Sequence, residues 1–196
     1  MTEVYLLRHG DLGVGRVLVG VTDLPLAPHA LGELAAAGRL LTGLHFDHIW
    51  CSPRLRCAQT LTTVLPGAKA EIIDDLREVD FGHWEMKEFS VINKEYPEDV
   101  ARLAAWEENF AFPGGESIAS YLARAAAVRA QVANLTKKGG NRKILMVTHS
   151  GIIRQLICGW LGISSRHYLL FAVEYGKIAT LSIHKDGGVL TGFNLG

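Results

Sequence analysis

The segment Val4-Tyr5-Leu6-Leu7-Arg8-His9-Gly10 places a short apolar run directly before a cation, an imidazole and a glycine. An apolar run of this length, bounded by polar residues and glycine, is typical of a buried strand. Ligands of α/β proteins bind at the carboxyl ends of the strands. We therefore expect Arg8 and His9 to reach a crevice at the edge of a sheet.

The same arrangement returns far along the chain. Residues 143–148 form a second strand-like run, and His149-Ser150-Gly151 follows it directly. Two strands that each end in a histidine and a glycine predict two imidazoles that face one ligand.

The remaining patterns predict strands that alternate with helices. We expect strands over 48–51 and 70–73, helices over 31–44, 56–65, 88–109 (broken at Pro97), 117–135 and 151–161, and a hairpin of strands 178–184 and 189–193. Ser117 is the expected N-cap of its helix. This order predicts an α/β protein, a three-layer α/β/α sandwich whose mostly parallel sheet has an antiparallel edge. Residues 1–196 form one predicted domain, with 86–116 as a helical lid or insertion.

Composition excludes several classes of protein. The 196 residues are 48% hydrophobic, with 20 basic and 20 acidic side chains, so the chain lacks the basic excess of a nucleic-acid binder. It has no apolar run long enough to span a membrane, and its N-terminus lacks the pattern of a secretory signal. Three cysteines fit reduced thiols, and we expect a cytoplasmic protein.

His9 is the candidate nucleophile, because a neutral imidazole can form a covalent intermediate. The charge of Arg8 should lower the pKa of His9. The alternative is a core histidine that donates to a backbone carbonyl. His149 would hydrogen-bond a ligand oxygen and stabilise developing charge.

Two further segments carry candidate groups. Residues 52–60 open a helix, where Arg56 offers a planar fork to phosphate oxygens, unless it is simply a solvated helix-start arginine. Residues 76–85 contain Glu78, a candidate general acid, for which the alternative is a surface carboxylate paired with Arg77. Cations around an imidazole suit a phosphoryl group.

These segments together resemble the histidine phosphatase superfamily, also called the phosphoglycerate mutase-like family. The matching blocks are Leu6-Leu7-Arg8-His9-Gly10, Thr22-Asp23-Leu24-Pro25-Leu26, residues 52–60, 76–85 and 113–117, and Thr148-His149-Ser150-Gly151. They cover the chain almost from end to end. The resemblance implies the phosphoglycerate mutase-like fold and a phosphatase that acts on a small phosphorylated metabolite, with no metal and no cofactor.

The resemblance also implies roles for single residues. His9 would carry the phosphoryl group as phosphohistidine, and Glu78 would protonate the leaving oxygen and then activate water. The predicted catalytic residues are His9, Glu78, His149, Arg8 and Arg56, and the predicted substrate-binding residues are Arg8, Arg56, His149, Arg16, Gly20, Thr22 and Ser150.

Within the family, the Pro113–Ser117 block and the compact length are similar to the alpha-ribazole phosphatases of cobalamin synthesis. A broad-specificity sugar or nucleotide phosphatase, a phosphoglycerate mutase, or a non-enzymatic module that binds a phospho-ligand or a protein remain alternatives. Residues 87–112 hold three basic and six acidic side chains, a net acidic segment that disfavours a mutase substrate with two anionic groups. An exposed edge strand after Ile178 makes a homodimer a further expectation.

The chain departs from the family pattern at several positions. Asp11 and Leu12 stand where the family often has Glu or Gln and then Thr, and the Asn that commonly follows is missing, so Arg16 is expected to replace its phosphate contact. Met86 stands where Gly is usual.

A cysteine phosphatase is excluded, because no Arg lies six residues after Cys51, Cys57 or Cys158. The pair His45 and His48 is expected to lie in a surface turn.

Overall fold

Six strands form one sheet in the computed structural model, which describes residues 1–107 and 109–196. In chain order they are β1 (Thr2–Arg8), β2 (His48–Cys51), β3 (Glu71–Ile72), β4 (Arg142–Thr148), β5 (Ile178–His184) and β6 (Gly187–Leu195). Their spatial order is β3-β2-β4-β1-β5-β6. β1 to β4 run parallel to one another, β5 runs antiparallel to β1, and β6 runs antiparallel to β5. This confirms the predicted sheet with an antiparallel edge.

Helices account for the rest of the regular structure. They are α1 (Ala30–Leu41), α2 (Leu55–Val64), α3 (Phe89–Glu95), α4 (Pro97–Ala105), α5 (Ile118–Lys137) and α6 (Ser150–Leu161), with short 3₁₀ turns at Asp74–Leu76, Gly82–Trp84 and Ser165–Leu170. Within the described residues, none of these helices has the length and apolar character needed to cross a membrane.

The layers follow from the alternation of side chains along the central strands. Val4 and Leu6 of β1 are fully buried against α5 and α6, whereas Leu7 packs on the opposite face with α1 and α2. Successive strand residues point to opposite faces, so an uninterrupted apolar run fits a strand that is covered on both sides. The three-layer α/β/α architecture is therefore confirmed.

The predicted helix over 88–109 is shorter than expected at its C-terminal end. Pro97 separates α3 from α4 and opens α4, where its missing N–H costs no helical hydrogen bond. Trp106 then adopts a left-handed conformation (φ 56°), and its N–H bonds the carbonyls of Arg102 and Leu103. Helix α4 therefore ends at Ala105.

Other boundaries of helices and strands differ from the predicted ones by a few residues. Ser117 caps α5 as expected, because its side chain accepts from the Ser120 N–H (3.1 Å). The C-terminal hairpin turns at residues 185–186, so Gly187 belongs to β6 rather than to the turn. The predicted surface turn ends before His48, which is the first residue of β2.

Candidate active site

The ends of the parallel strands bring the two predicted histidines together. β1 and β4 are neighbours with Arg8 opposite Thr148, and the His9 N–H bonds the Thr148 carbonyl (3.0 Å). The ring centroids of His9 and His149 lie 5.1 Å apart. Strand β2 ends beside β4, which adds Ser52 to the same edge. The expected convergence of residues distant in sequence is present in the structure.

His9 is held in one neutral form. Its Nδ1 lies 2.8 Å from the Gly10 carbonyl oxygen, an acceptor, so Nδ1 must carry the proton and Nε2 is left with a free electron pair. Burial first, and then the charges of Arg8 and Arg56, hold the pKa of His9 well below its ordinary value. The bond to a carbonyl matches the core-histidine alternative, but this ring also lines a cavity.

That polar cavity has a volume of about 240 Å³ and lies at the carboxyl edge of the sheet. Its polar walls are the side chains of Arg8, His9, Glu78, Ser150, Arg154 and Tyr175. Ser150 is the first residue of α6, so the partial positive charge of that helix N-terminus faces the same space. Two guanidinium groups and a helix N-terminus suit a tetrahedral anion, and the unprotonated imidazole nitrogen suits nucleophilic attack on the central atom of that anion.

Arg8 is fixed by its surroundings, and its Nε is left without a protein acceptor in the described part of the chain. Its guanidinium stacks on the Tyr175 ring, 3.4 Å from the ring centroid, and Nη1 donates to the Val173 carbonyl (2.7 Å). Its Nε is buried and has no protein partner among the described residues. A buried donor without an acceptor costs free energy, so this cation is not fully satisfied by the described residues alone.

Arg154 and Tyr175 were missed by the sequence analysis. Arg154 lies one helical turn after Ser150, and residues four apart share a helix face, so the spacing was a usable signal. Its Nε donates to the Phe171 carbonyl (2.7 Å), which orients the side chain. Tyr175 offered no comparable signal, since it lies in the loop before β5.

Glu78 is a buried acidic side chain and not a surface one. It is 6% exposed, and the Gly151 N–H donates to its Oε2 (2.9 Å). Arg77 pairs instead with Asp74. A Cβ at Gly151 would lie 2.3 Å from Glu78 Oε1 and 2.6 Å from the Tyr121 hydroxyl, so glycine is required for this contact.

A buried ion pair holds the loop that carries Glu78. Arg124 donates through Nε and Nη2 to the two carboxylate oxygens of Glu116 (2.8 and 2.6 Å), and its Nη1 donates to the carbonyls of Asp75 and Arg77. Thr148 Oγ1 donates to the Leu76 carbonyl (2.6 Å). The Pro113–Ser117 block therefore acts on Glu78 through Glu116, a role that sequence reasoning did not assign.

Arg56 and His149 form a layer behind His9. Both are fully buried, and neither lines the polar cavity. Arg56 Nε donates to His149 Nδ1 (3.2 Å), so the His149 proton sits on Nε2 and points to Ser52 Oγ (2.8 Å). Burial, followed by the proximity of His9 and Arg56, holds the pKa of His149 well below its ordinary value. Their direct contact with phosphate stays a prediction.

The other predicted substrate-binding residues lie away from the cavity. The Gly20 N–H (3.0 Å) and the Thr22 hydroxyl (2.8 Å) donate to the carboxylate of Glu85, and both residues give their carbonyls to Arg56. A Cβ at Gly20 would lie 1.9 Å from the Val79 carbonyl oxygen, so close backbone approach explains this glycine. Arg16 is exposed and does not line the cavity; its phosphate contact stays a prediction.

The family departures also have visible consequences. Leu12 lines the polar cavity, whereas Asp11 turns away to pair with His29 (3.0 Å). Met86 has a φ of 59°, a left-handed conformation that glycine adopts without cost, which accounts for the glycine usual at this position.

The cysteines do not compete with His9 as nucleophiles. Cys57 Sγ lies 3.6 Å from His149 Nε2, but burial raises the pKa of this thiol well above its ordinary value. Burial likewise raises the pKa of Cys51 to about 12. A thiol that stays protonated is a poor nucleophile.

Comparison with known proteins agrees with this architecture. The model of the histidine phosphatase superfamily (branch 1) matches residues 4–196. The chain is 25% identical over 200 residues to phosphoserine phosphatase 1 of Hydrogenobacter thermophilus (100% of this chain, 93% of that protein). It is 27% identical over 199 residues to adenosylcobalamin/alpha-ribazole phosphatase of Escherichia coli (98% and 95%).

A solved structure supports the fold. The crystal structure of a putative alpha-ribazole-5'-P phosphatase from Escherichia coli superposes with a TM-score of 0.87 and 24% identity, covering 98% of this chain and 96% of that one. An α/β sheet with two histidines at adjacent strand ends defines the class. The chain belongs to the histidine phosphatase superfamily, and its relatives support a phosphatase enzyme.

Proposed function

We propose that the protein is a phosphomonoesterase that hydrolyses its substrate through a phosphohistidine on His9. The observation that carries this proposal is the fixed tautomer of His9, which leaves an electron pair on Nε2 of a ring that lines a cavity together with two arginines. A nucleophilic imidazole needs to be neutral and aimed at the electrophile, and burial beside Arg8 supplies the first condition.

In the first step, His9 Nε2 attacks phosphorus. The P–N bond forms while the bond from phosphorus to the leaving oxygen breaks, and Glu78 gives that oxygen a proton. Arg8, Arg154 and the N-terminus of α6 stabilise the charge on the non-bridging oxygens. Arg56 and His149 support His9 from behind, and we propose that they reach the phosphoryl group as it transfers.

In the second step, water attacks the phosphoryl group on His9. Glu78, now a carboxylate, takes a proton from the water, the P–N bond breaks, and inorganic phosphate leaves. Nε2 regains its electron pair and Glu78 regains its proton, so the cycle closes with no metal and no cofactor.

Alpha-ribazole 5'-phosphate is the first substrate that we propose to test. Relatives named for alpha-ribazole phosphatase activity match this chain over more than nine-tenths of its length. Arg102 and Lys87 in the 86–116 segment are paired with acidic side chains of that segment, which disfavours the two-anion substrate of a mutase.

The test compares hydrolysis of p-nitrophenyl phosphate and alpha-ribazole phosphate by the wild type and by His9→Ala. We expect His9→Ala to lower kcat by at least about 1,000-fold without changing the fold. The control variant His45→Ala, which replaces an exposed histidine, is expected to keep its kcat. A wild type no faster than His9→Ala would favour a binding module, and transfer of phosphate between glycerate hydroxyls would favour a mutase.

A further inference from the structure

A second cavity adjoins the polar one. It has a volume of about 410 Å³ and shares with the polar cavity Leu18, Glu78, Phe81, Ser150 and Arg154. A volume of this size accommodates a small-molecule group. The two spaces therefore meet at Glu78, the group that protonates the leaving oxygen in the proposed reaction.

The walls of this second cavity, the apolar cavity, are mostly hydrocarbon and aromatic rings. Beyond the shared residues, they include Trp84, Phe89, Leu103, Trp106, Tyr168 and Leu169. Among the described residues, Glu78 and Arg154 are its only charged lining side chains, and both border the polar cavity as well. An anionic group placed among these rings, away from Arg154, would lose its water without finding a charged partner.

The apolar cavity is built where three segments meet. Trp106 at the end of α4 packs against Tyr168 of the 3₁₀ turn Ser165–Leu170, with ring centroids 5.2 Å apart. Phe89 opens α3 and is 51% exposed, and Leu169 is 67% exposed. Large apolar side chains that stay half in water beside a cavity gain stabilisation when an apolar ligand covers them.

We infer that the leaving group of the substrate is an uncharged alcohol with an aromatic or other apolar body, which the apolar cavity binds while the phosphate occupies the polar cavity. This inference rests on the proposed function for the position of the phosphate. It separates this chain from a phosphatase whose leaving alcohol is small and charged, such as serine or glycerate.

The test uses two esters with leaving alcohols of similar acidity, 3-phenylpropyl phosphate and propyl phosphate. Covering a phenyl ring predicts a kcat/KM about 10- to 100-fold higher for the phenyl ester. The same preference is expected in the Kd for the inactive His9→Ala variant, measured by calorimetry, where no turnover occurs. Phosphoserine is expected to react more slowly than propyl phosphate.

Matched variants test whether the preference for the phenyl ester arises in the apolar cavity. Phe89→Ala and Leu169→Ala are expected to lower kcat/KM for the phenyl ester about 5-fold and to leave propyl phosphate unchanged. Val91 lies in α3 with Phe89, is exposed and apolar, and does not line the cavity. Val91→Ala is therefore expected to leave kcat/KM unchanged for both esters. Because both tested side chains are largely exposed, these variants should fold.

The outcomes separate the two proposals. Equal Kd and equal kcat/KM for the two esters, or a preference that Phe89→Ala and Leu169→Ala leave intact, would overturn the inference while leaving phosphatase activity standing. Tighter binding of the phenyl ester without any hydrolysis that depends on His9 would support the apolar cavity as a binding site and overturn the proposed function.

Discussion

The polar and apolar cavities share a wall but are built in different ways. The polar cavity uses the ends of β1 and β4 and the start of α6, so most of its chemistry lies in two short segments after two strands. The apolar cavity draws side chains from α3, α4, α5 and two 3₁₀ turns. From this difference we expect the central sheet to determine the reaction and the surrounding segments to determine which alcohol leaves.

The strongest test of this division is Glu78→Gln, because Glu78 borders both cavities. Loss of the proton donor should lower kcat/KM, which reports the phosphorylation step alone, by about 1,000-fold for alkyl phosphates and by less than about 10-fold for p-nitrophenyl phosphate, since nitrophenolate leaves without a proton. Steady-state kinetics on both esters measure the ratio, with Glu71→Gln, an exposed carboxylate, as control. Equal losses for the two esters would contradict the acid role.

Arg154 also borders both cavities, and Arg154→Met tests whether this side chain acts on the phosphoryl group. Removing one guanidinium should reduce kcat/KM by about 100-fold for every ester, whatever its leaving group, because the charge acts on the phosphoryl oxygens. Arg166→Met, an exposed arginine of the adjacent 3₁₀ turn, is the control. A loss confined to the phenyl ester would instead assign Arg154 to the apolar cavity.

The ion pair Arg124–Glu116 tests whether the contacts that hold the Glu78 loop affect stability alone or also affect the reaction in the polar cavity. Arg124→Met leaves Glu116 buried and unpaired and should lower the free energy of unfolding by about 3 kcal/mol, whereas Arg102→Met at an exposed pair should change it little.

Because the pair holds the Glu78 loop, Arg124→Met should also lower kcat/KM for alkyl phosphates about 10-fold more than for p-nitrophenyl phosphate. Chemical denaturation and the ratio of the two rates are the measurements. An unchanged ratio would mean that the pair serves stability alone.

The smallest expected effect is on stability at acid pH. The pKa values of His9 and His149 are lowered on folding, so below about pH 6.5 the unfolded chain binds protons that the folded chain does not, and stability falls. Each histidine should cost about 1 kcal/mol between pH 7.5 and 5.5. Denaturation of His9→Ala should show a smaller decrease over this range; an identical decrease would mean that His9 is not buried in its neutral form.

The sequence was informative wherever local pattern and function coincide. Val4–Leu7 is apolar because β1 is covered on both faces, and the residues after such a strand must lie at the sheet edge, so Arg8, His9 and His149 were predictable. The alternation of strands and helices likewise predicted the layers. Helix α4 ended earlier than expected because Trp106 takes a left-handed conformation that propensity does not anticipate.

The parts that were not predicted depend on contacts distant in sequence. Nothing local shows that the Gly20 and Thr22 carbonyls serve Arg56, or that Glu116 and Arg124 hold the Glu78 loop. The same is true of Tyr175, which reaches Arg8 only after β5 has paired with β1. The apolar cavity combines residues from segments that show only ordinary helical periodicity.

The most direct test of the account is to trap the phosphoenzyme. Wild-type protein is mixed with a phosphomonoester, quenched in alkali within milliseconds, and digested for mass spectrometry. We predict one phosphoryl group on His9 that survives alkali, is lost in acid, and is absent from His9→Ala. A phosphoryl group that survives acid but not alkali, or one attached to any other residue, would contradict the account.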